Sequence, residues 1–502
     1  MNINNILLWI VSVEHIYLLI WSIALLSVLL SKKNPTSTAS WILTITIFPV
    51  FGLIAYLFLG INWRQRTFLN NLKNTKNNTV FKTLNSNLLK HNTASYFGLK
   101  NNSKQRVDEV LSKTNLSPDA REVVSLLYNS EKTLPSLNES YEIYSDGKSA
   151  FDALLKDIME AKETIFMEYF IWRSDALGVK IKDALVKKAK EGVKIKIIFD
   201  GVGSFFTISR RYKRELEKAG VEFFYFLNIK TSLLKLNYRN HRKMTIVDGR
   251  ILHSGGMNLG LEYITGGRRF KSWRDTNFRI VGDMALYYLT VFATDWLNSG
   301  GKFNFDIFEE LIKNRKILEN GYLMQLSSSG PDSAYPSLKY LYTRFITNAK
   351  KEILIQSPYF IPNTSILQQL KIAALSGVKI KLMTTGVPDK RIPYWVADTF
   401  IEELLIAGIE VYRYETGFFH AKAMCYDDEI CTIGTCNFDS RSFDIHYEIN
   451  TVFYDKRIAS EFKEQFSKDL ENCRKLTLEK YQNQGIFYKV RNSIFRLISP
   501  LL

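Results

Sequence analysis

Cysteine and histidine are scarce in this chain of 502 residues, which contains four of the first and six of the second. Cys425, Cys431 and Cys436 are close together, Cys473 stands alone, and no CxxC pair occurs. Because no cysteine and histidine have the spacing of zinc ligands, the sequence predicts neither a structural nor a catalytic metal ion. It predicts buried thiols in a reducing compartment.

Acidic residues are outnumbered by basic ones. The chain has 50 Asp and Glu against 67 Lys and Arg, which gives a formal net charge of +17. This charge favours a polyanion or an anionic surface as the partner, and either nucleic acid or acidic lipid satisfies it. The length implies more than one domain.

Long apolar runs are absent after the first sixty residues. The first run, residues 6–30, is interrupted by Glu14 and His15, and the second, residues 38–59, contains Pro49 and Gly52. Each is long enough to cross a hydrocarbon core of about 30 Å, and membrane helices tolerate Pro and Gly. The sequence therefore predicts a two-helix membrane hairpin over residues 1–63.

The alternative for the first run is a cleaved signal peptide, which is disfavoured because no Lys or Arg precedes the run and a second run follows at once. The connecting loop carries Lys32 and Lys33, whereas the second run is followed by four basic residues: Arg64, Arg66, Lys73 and Lys76. The positive-inside rule then predicts a cytoplasmic body at a cell membrane.

Residues 64–134 are basic and rich in Asn, Lys and Ser. This composition is typical of a solvated linker, and its charge also suits a position above anionic headgroups. One helix is predicted within it, from about Ser117 to Tyr128.

The rest of the chain predicts an α/β fold that is repeated. Strands over 164–172 and 193–199 flank a helix over 178–191, and the same plan recurs with strands over 352–356 and 378–383 around a helix over 364–376. The amino-acid sequence also repeats, since residues 191–197 match 376–382 and residues 218–222 match 406–410. We therefore predict two tandem α/β domains, 135–318 and 319–480, each a mixed sheet flanked by helices and related by pseudo-twofold symmetry. The first carries an insertion around residues 229–239.

The frame His-x-Lys-x4-Asp occurs twice at equivalent places in this repeat. Counted from each histidine, Lys falls at +2, Asp at +7, Gly at +14 and Asn at +17. The two frames, with the residue that follows each glycine, consist of His241, Lys243, Asp248, Gly255, Gly256 and Asn258, and of His420, Lys422, Asp427, Gly434, Thr435 and Asn437. Matched pairs of this kind predict one active site built from two halves.

These residue types suit displacement at a phosphodiester. Histidine can act as nucleophile and as proton donor near neutral pH, and a neutral and a protonated histidine acting together predict a bell-shaped pH profile. The lysines and asparagines can donate to phosphate oxygens, and the glycines and Thr435 would let a phosphate approach the backbone. Asp248 and Asp427 precede turns, which favours a structural role over a catalytic one.

Further strings carry a resemblance to a known family. They are Glu168-Tyr169-Phe170-Ile171, Asp200-Gly201-Val202-Gly203-Ser204, Gly255-Gly256-Met257-Asn258, Trp273-Arg274-Asp275-Thr276, Pro358-Tyr359-Phe360-Ile361-Pro362, Gly417-Phe418-Phe419-His420-Ala421-Lys422 and Asn437-Phe438-Asp439-Ser440-Arg441-Ser442-Phe443. Together with the two frames and the apolar N-terminus, they make the chain similar to phospholipase D superfamily members with two HKD motifs. More narrowly, the chain resembles the bacterial cardiolipin synthases over nearly its whole length.

The resemblance implies that one histidine attacks the phosphorus of phosphatidylglycerol while the other protonates the departing glycerol. We expect His241 as the nucleophile and His420 as the acid and base, although the two frames are nearly symmetric. The resemblance also implies that carboxylates orient the histidines: Glu448 for the second half and Asp275 for the first, unless these only form surface salt bridges. His446 stands where the family usually has asparagine.

Several functions remain compatible with the residues. Transfer between two phosphatidylglycerol molecules at an anionic membrane is the leading one, without a cofactor. Hydrolysis of phospholipids uses the same chemistry, and the charge also permits a nucleic-acid phosphodiesterase, although no nucleic-acid module is recognisable. A lipid-binding scaffold without activity is the non-enzymatic alternative. Residues 481–502 form a basic amphipathic segment that suits either a membrane interface or a domain edge.

Overall fold

The computed structural model describes residues 3–30, 35–60, 107, 111–112, 114–229, 237–304, 306–307, 311, 318 and 320–499. Most of the predicted linker, and residues 230–236 of the predicted insertion, lie outside the described residues. The helices span Ile3–Leu30, Pro35–Ile47, Pro49–Ala55, Pro118–Glu131, Gly147–Glu160, Ala176–Lys190, Arg210–Lys218, Glu262–Thr265, Met284–Asn298, Ser337–Asn348, Thr364–Leu375, Arg391–Ile406, Ser440–Asp444, Lys456–Leu470, Leu478–Gln482 and Ile486–Ile498.

The strands are named in chain order. They are β1 Ser136–Tyr144, β2 Thr164–Tyr169, β3 Lys194–Asp200, β4 Glu222–Phe226, β5 Lys243–Val247, β6 Ile251–Gly255, β7 Trp273–Arg274, β8 Asn277–Gly282, β9 Tyr322–Ser329, β10 Glu352–Gln356, β11 Phe360–Ile361, β12 Lys379–Thr385, β13 Glu410–Tyr414, β14 Phe418–Phe419, β15 Ala423–Tyr426, β16 Ile430–Gly434, β17 Phe438–Asp439, β18 Glu448–Phe453 and β19 Cys473–Lys475. The strands and helices that the repeat predicts are therefore present in both halves, with ends shifted by a few residues.

Both halves contribute to one 15-stranded mixed sheet. From its middle outwards the first half runs β1-β8-β6-β5-β2-β3-β4, and the second runs β9-β18-β16-β15-β10-β12-β13 before β19. In each half the last three of these seven strands are parallel neighbours, and β1 and β9 pair antiparallel at the centre. This mirrored order is what a pseudo-twofold axis between β1 and β9 produces.

The repeated helices begin and end by the same local chemistry. Asp175 accepts a hydrogen bond from Gly178 N at 3.0 Å to cap helix Ala176–Lys190, and Asn363 caps helix Thr364–Leu375 in the same way. The chain leaves them at Gly192 and Gly377, which both adopt left-handed φ values, 95° and 97°. A side chain there would be strained, which explains why these two glycines recur in the repeat.

Helices cover both faces of the sheet and enclose the core. On one face a cluster of buried residues runs across both halves beneath helices Met284–Asn298 and Lys456–Leu470. On the other face each half has its own cluster. The shared cluster binds the two halves into a single body and fixes the seam where the site lies. Cys425, Cys431 and Cys436 are buried in these cores, as the sequence predicts, while Cys473 is half-buried.

The end of the predicted linker differs from the prediction. Helix Pro118–Glu131, capped by Ser117, buries Ala120, Val123, Val124 and Leu127 in the core of the second half. Its apolar residues recur at helical spacing, and they pack against helix Ser337–Asn348 and β9. Residues 118–131 therefore belong to the second α/β half rather than to a solvated linker.

The N-terminal apolar runs form helices, but not the predicted two-span hairpin. Within the described ranges, no helix combines the length and apolarity needed to cross a membrane. The second run is interrupted at Phe48, because Pro49 has no amide hydrogen to continue the helix that ends at Ile47. The helices pack on one another through a small cluster, Ala24, Val28, Trp41, Ile45 and Tyr56.

Candidate active site

The two histidines lie side by side along the seam between the halves. His241 lies two residues before β5, near the carboxyl end of β2, and His420 lies three residues before β15, near the carboxyl end of β10. The backbone N–H of His241 donates to the carbonyl of Tyr447 at 2.9 Å, and that of His420 donates to the carbonyl of Arg274 at 2.7 Å. Each histidine is thus held by the backbone of the opposite half.

The carboxylates that the sequence predicts to orient the histidines are exchanged between the halves. Nδ1 of His241 lies 2.9 and 3.0 Å from the two carboxylate oxygens of Glu448, and Nδ1 of His420 lies 2.6 Å from Oδ2 of Asp275. Both carboxylates are fully buried, so surface salt bridging is excluded for them. With Nδ1 donating to a carboxylate, Nε2 of each ring keeps its lone pair.

The lysines of the two frames are buried beside the histidines. Nζ of Lys243 donates to the carbonyl of His241 at 2.5 Å, and Nζ of Lys422 donates to the carbonyl of His420. Burial, opposed by nearby carboxylates, lowers the pKa of Lys243 to about 7 and that of Lys422 to about 8. Two buried ammonium groups at one place form a site that favours an anion.

Burial and neighbouring positive charge disfavour a proton on either imidazole in the free site. Burial, followed by the charges of Lys243 and Lys422, lowers the pKa of His241 well below its usual value. Burial and the charge of Lys422 also lower the pKa of His420, to about 4, although Asp275 opposes the shift. Burial alone would raise the pKa of Asp275, but the charges of Lys422 and His420 bring it below its usual value.

Glu448 has more hydrogen-bond partners than Asp275. The hydroxyl of Thr435 donates to its Oε2 at 2.6 Å, and that of Ser442 donates to its Oε1 at 2.8 Å. Asp275 accepts from the backbone N–H of Thr276 at 2.8 Å instead. Thr435 is therefore placed to orient Glu448, and its predicted contact with a phosphate stays a prediction.

Asp248 and Asp427 fasten a turn in each half. Asp248 accepts three backbone N–H groups, from residues 162, 163 and 164, each at 2.8 Å. Asp427 accepts the equivalent three, from residues 350, 351 and 352, at 2.8 to 2.9 Å. Both aspartates adopt left-handed φ values, 48° and 54°. This geometry accords with the structural role that the sequence favours for them.

The glycines that recur in the two frames have a packing role. A side chain at Gly256 would overlap the carboxylate of Asp275, and one at Gly434 would overlap the carbonyl of Ile449. Gly255 faces the carbonyl of Thr276 in the same way and has φ 137°. The close approach that these glycines allow in the structure is to the neighbouring strand, and their contact with a phosphate stays a prediction.

The two asparagines differ in how far they are already engaged. Asn258 accepts from the backbone N–H of Ile171 at 3.0 Å and donates to the hydroxyl of Tyr263 at 2.7 Å. Asn437 is also buried, but its Oδ1 has no hydrogen-bond partner among the described residues. Asn258 is thus used in holding the first half together, whereas Asn437 keeps a polar atom for a ligand.

Two buried acids, Asp295 and Asp469, hold the segments next to the histidines and were not among the predicted site residues. Asp295 pairs with Arg242, which follows His241, and Asp469 accepts two hydrogen bonds from Arg274 at 2.8 and 2.7 Å. They fix the segments on which His241 and Asp275 lie. A signal for them exists, because Asp295 and Asp469 follow Asp275 and Glu448 by 20 and 21 residues.

His446 lies beside the first histidine. Its ring centroid is 5.7 Å from that of His241, and its Nδ1 is 3.7 Å from Oε1 of Glu448. Its Nε2 accepts from Nε of Arg441 at 3.3 Å, and burial lowers its pKa to about 3. His241, His446 and Glu448 are the described residues close enough to share a metal ion. The surrounding positive charges disfavour a cation there.

This arrangement has the parts that transfer at a phosphodiester requires. Two imidazoles offer Nε2 from opposite halves, and two ammonium groups lie beside them for the non-bridging oxygens. Aromatic rings of Phe170 on one side, and of Trp273 and Phe418 on the other, lie 5.2 to 5.6 Å from the imidazoles. They limit the access of water to the reacting groups.

Solved structures share the fold. The phosphatidylserine synthase of Haemophilus influenzae Rd KW20 superimposes with a TM-score of 0.59 at 14% sequence identity, covering 76% of this chain and 100% of that one. At this identity the likeness shows the common architecture.

Sequence relatives match over almost the full length. The chain is 34% identical to the major cardiolipin synthase ClsA of Bacillus subtilis (strain 168), over 100% of both chains. It is 35% identical to a cardiolipin synthase of Clostridium perfringens (strain SM101 / Type A), over 94% of this chain and 96% of that one.

Two family descriptions match, and their positions follow the repeat. The phospholipase D-nuclease N-terminal family matches residues 19–60, and the family of cardiolipin synthase, PLD-like domains matches residues 154–279 and again 342–470. The doubled match coincides with the two halves of the sheet and with the two histidines along their seam. The chain belongs to the cardiolipin synthase family of phospholipase D-like enzymes.

Proposed function

We propose that the protein is a cardiolipin synthase, which transfers the phosphatidyl group of one phosphatidylglycerol to a glycerol hydroxyl of a second and releases glycerol. The crossed pairing of His241 with Glu448 and of His420 with Asp275 carries this proposal. It leaves one lone pair on each ring, on either side of a phosphodiester that the buried lysines hold.

In the first step Nε2 of His241 attacks the phosphorus, and the bond from phosphorus to the headgroup oxygen breaks. The negative charge of the bound phosphodiester raises the pKa of His420, so that its Nε2 takes up a proton as the substrate binds. His420 gives this proton to the leaving oxygen, so that glycerol leaves and a phosphatidyl-histidine remains. Lys243 and Lys422 donate to the non-bridging oxygens, where a single well-placed donor contributes about 3 to 4 kcal/mol.

In the second step the hydroxyl of another phosphatidylglycerol gives its proton to His420, and its oxygen attacks the phosphorus. The bond from phosphorus to His241 breaks, cardiolipin leaves, and both histidines return to their starting states. The unpaired Oδ1 of Asn437 is placed to accept a hydrogen bond from a lipid hydroxyl. Water in place of the second lipid would give phosphatidic acid instead.

We assign the nucleophilic role to His241 because its carboxylate is the more firmly held. A phosphorylated imidazole carries positive charge for the life of the intermediate, and a fixed carboxylate at Nδ1 stabilises that charge. The hydroxyls of Thr435 and Ser442 hold Glu448 in place. Asp275 lacks such hydroxyl donors among the described residues.

We further propose that the protein acts at a membrane, with the two catalytic halves on the cytoplasmic side as the distribution of basic residues favours. The described N-terminal helices expose many apolar side chains: Leu18, Leu19, Ile20, Ile23, Leu26, Leu29, Leu30, Leu43, Ile47, Phe48, Val50, Phe51 and Ile54. A continuous apolar surface of this size requires lipid or another apolar cover. Retention of the protein in membranes washed at high salt and high pH tests this; release into the wash would contradict it.

The function is tested by product analysis with labelled phosphatidylglycerol in mixed micelles. We expect cardiolipin and glycerol from the wild type and neither from His241→Ala or His420→Ala. His253→Gln is the matched control, because His253 pairs with Asp157 rather than with a site carboxylate. Phosphatidic acid alone would show a hydrolase, and an absence of lipid turnover would overturn the proposal.

A substrate with a good leaving group separates the two histidines. A phosphatidyl nitrophenol needs no proton at its leaving oxygen, so His420→Ala should still release nitrophenol in a single burst and retain labelled lipid after denaturation. His241→Ala should show neither. The reverse pattern would exchange the two roles.

A further inference from the structure

The C-terminal helix, Ile486–Ile498, is fastened to the second half by one side. The hydroxyl of Tyr488 donates to Asp398, Arg496 pairs with Glu403 at 2.9 Å, and the ring of Phe495 lies 5.2 Å from that of Trp395. All three partners lie on helix Arg391–Ile406. The C-terminal helix therefore has a fixed orientation, and its opposite side faces outwards.

That opposite side is apolar. Ile486, Phe487, Val490 and Ile494 are all exposed, and Phe487 has 89% of its surface in contact with solvent. Their spacing places them on one stripe of the helix. A folded chain that fixes such a stripe outwards leaves it for a second apolar body.

A short series of contacts leads from this helix to the active site. Helix Arg391–Ile406 carries Trp395. Two residues before this helix begins, the carbonyl of Asp389 accepts a hydrogen bond from the side chain of Arg269. The next residue, Phe270, stacks on Phe418 at 5.1 Å, and Phe418 lies 5.6 Å from His420. The apolar stripe is thus connected to the edge of the site on the side of His420.

Basic residues surround this edge. Arg268, Lys271, Lys390 and Arg391 are exposed there, and Lys489 is exposed on the C-terminal helix. The acid among them, Asp389, is half-buried and accepts the hydroxyl of Tyr359. An apolar stripe next to exposed positive charge matches the surface of an anionic bilayer, where acyl chains and phosphates lie at adjacent depths.

The equivalent place in the first half is different. Helix Arg210–Lys218 lies between β3 and β4 as helix Arg391–Ile406 lies between β12 and β13. It is fastened to helix Ala176–Lys190 of its own half, through the ion pair of Lys182 with Glu215 and the hydrogen bond from the hydroxyl of Tyr212 to the carbonyl of Gly178. The C-terminal helix is packed on the second half, which carries His420.

We propose that the C-terminal helix and the basic edge next to His420 form one docking face for an anionic phospholipid bilayer, through which lipid enters the site on the His420 side. The docking face consists of the exposed stripe of Ile486–Ile498 with Arg268, Lys271, Lys390, Arg391 and Lys489. The identity of the lipid that reacts there rests on the proposed function; the docking itself does not.

The double variant Phe487→Ser/Ile494→Ser tests the proposal in the full-length protein. On vesicles of phosphatidylglycerol we expect its rate to fall by about tenfold or more, through a higher apparent KM. On dispersed short-chain phosphatidylglycerol, which needs no bilayer, the rate should stay within about twofold of the wild type. A fall on both substrates would show a folding or catalytic defect, and no fall on either would overturn the docking face.

Leu375→Ser is the matched control. Leu375 has 74% of its surface exposed. It ends helix Thr364–Leu375 just before β12 begins, and so lies near the amino ends of the parallel strands, whereas His420 lies near their carboxyl ends. We expect this variant to resemble the wild type on both substrates. A loss on vesicles equal to that of the double variant would mean that any exposed apolar residue matters, and would overturn the assignment.

A second readout does not depend on turnover. Amide hydrogen exchange of residues 486–498 is compared in full-length protein held in nanodiscs of phosphatidylcholine with or without phosphatidylglycerol. We expect exchange to slow by about tenfold when the anionic lipid is present, and the double variant to show no slowing. Protection of residues 486–498 without lipid turnover would support the docking face and overturn the proposed function. Lipid turnover without this protection would support the proposed function and overturn the docking face.

Discussion

His241 and His420 have the same backbone setting in the two halves of the molecule. Each precedes an equivalent strand, and each donates its backbone N–H to the opposite half. The carbonyl of each histidine accepts a hydrogen bond from the lysine of the same frame. Behind each frame, Asp248 or Asp427 closes a turn with three backbone hydrogen bonds. The duplication has preserved these features of the backbone around each histidine.

Their side-chain surroundings differ. His241 faces the carboxylate of Glu448, which two hydroxyls hold, and it has His446 as a neighbour. His420 faces Asp275 and lies among the rings of Tyr263, Trp273 and Phe418. In the proposed mechanism, one scaffold therefore serves two roles: a firmly positioned nucleophile and a proton carrier in an apolar setting.

The largest effect should come from breaking the crossed pairs. Glu448→Gln turns the acceptor of His241 into an amide that can stabilise the wrong tautomer, and we expect kcat to fall by about 10³. Asp275→Asn should lower kcat by about 10², because His420 must only gain and lose a proton. Steady-state kinetics on labelled phosphatidylglycerol measures both.

The substrate with a good leaving group sharpens this contrast. Asp275→Asn should recover most of its loss in the burst of nitrophenol, while Glu448→Gln should not. Equal recovery in both variants would mean that the two sides do not differ in role.

The next effect concerns the lysines and has a defined sign. In the site without ligand, the pKa is about 7 for Lys243 and about 8 for Lys422. The negative charge of a bound dianion such as tungstate raises both pKa values, so that the lysines take up protons when it binds. Affinity for tungstate should therefore fall as pH rises from about 7, by up to about tenfold per pH unit for each proton taken up. Titration calorimetry between about pH 6 and pH 9 measures this dependence.

The two lysines can be told apart in the same titration. Lys243→Met should remove the part of the dependence that begins near pH 7, and Lys422→Met the part that begins near pH 8. An affinity that does not change over this range would contradict the lowered pKa values. His420 adds to the uptake if the dianion also raises its pKa from about 4 towards neutrality.

A smaller effect is expected from the hydroxyls around Glu448. Thr435→Val removes one donor to a charged acceptor, which contributes about 1.5 to 3 kcal/mol, and we expect kcat to fall by about tenfold with KM unchanged. Thr432→Val is the control, because the hydroxyl of Thr432 donates to the carbonyl of Thr451 instead. Equal losses in both would indicate a general effect on β16.

The smallest effect should come from His446. With a pKa of about 3 it is neutral at pH 7, and its contact with Glu448 is long at 3.7 Å. His446→Asn, which restores the residue usual in the family, should change kcat by less than about threefold. A loss of about tenfold or more at pH 7 would instead make His446 part of the support of the first histidine.

Much of the fold was predictable because the chain is duplicated. The amino-acid sequences around Gly192 and Gly377 match, which indicates two similar halves. The two His-x-Lys-x4-Asp frames indicate the candidate catalytic residues in each half. Ser117 and Pro118 mark the start of a helix by a capping residue and a residue suited to the first turn. That this helix packs into the second half is not visible in a polar, asparagine-rich stretch, because the composition around it points to solvent.

The crossing of the carboxylates was not predictable from spacing. His241 and Glu448 are 207 residues apart, and His420 and Asp275 are 145 apart. A sequence assigns each carboxylate to its nearest frame, whereas the antiparallel junction of β1 and β9 turns the two halves to face one another. The role of the glycines was hidden for the same reason, since the strand that each one touches is known only from the sheet.

The crossed pairs also have a consequence for how this protein can change over generations. Neither half, expressed alone as a monomer, contains a complete histidine and carboxylate pair, so neither could have persisted as an independent gene without associating with a second copy. Substitutions at residue 241 are constrained by residue 448, and those at 275 by 420, so that covariation should link the distant ends of the chain more strongly than neighbours within a half. In the proposed mechanism, loss of either half would end the activity of both, so that selection would act on the two halves as one inherited unit.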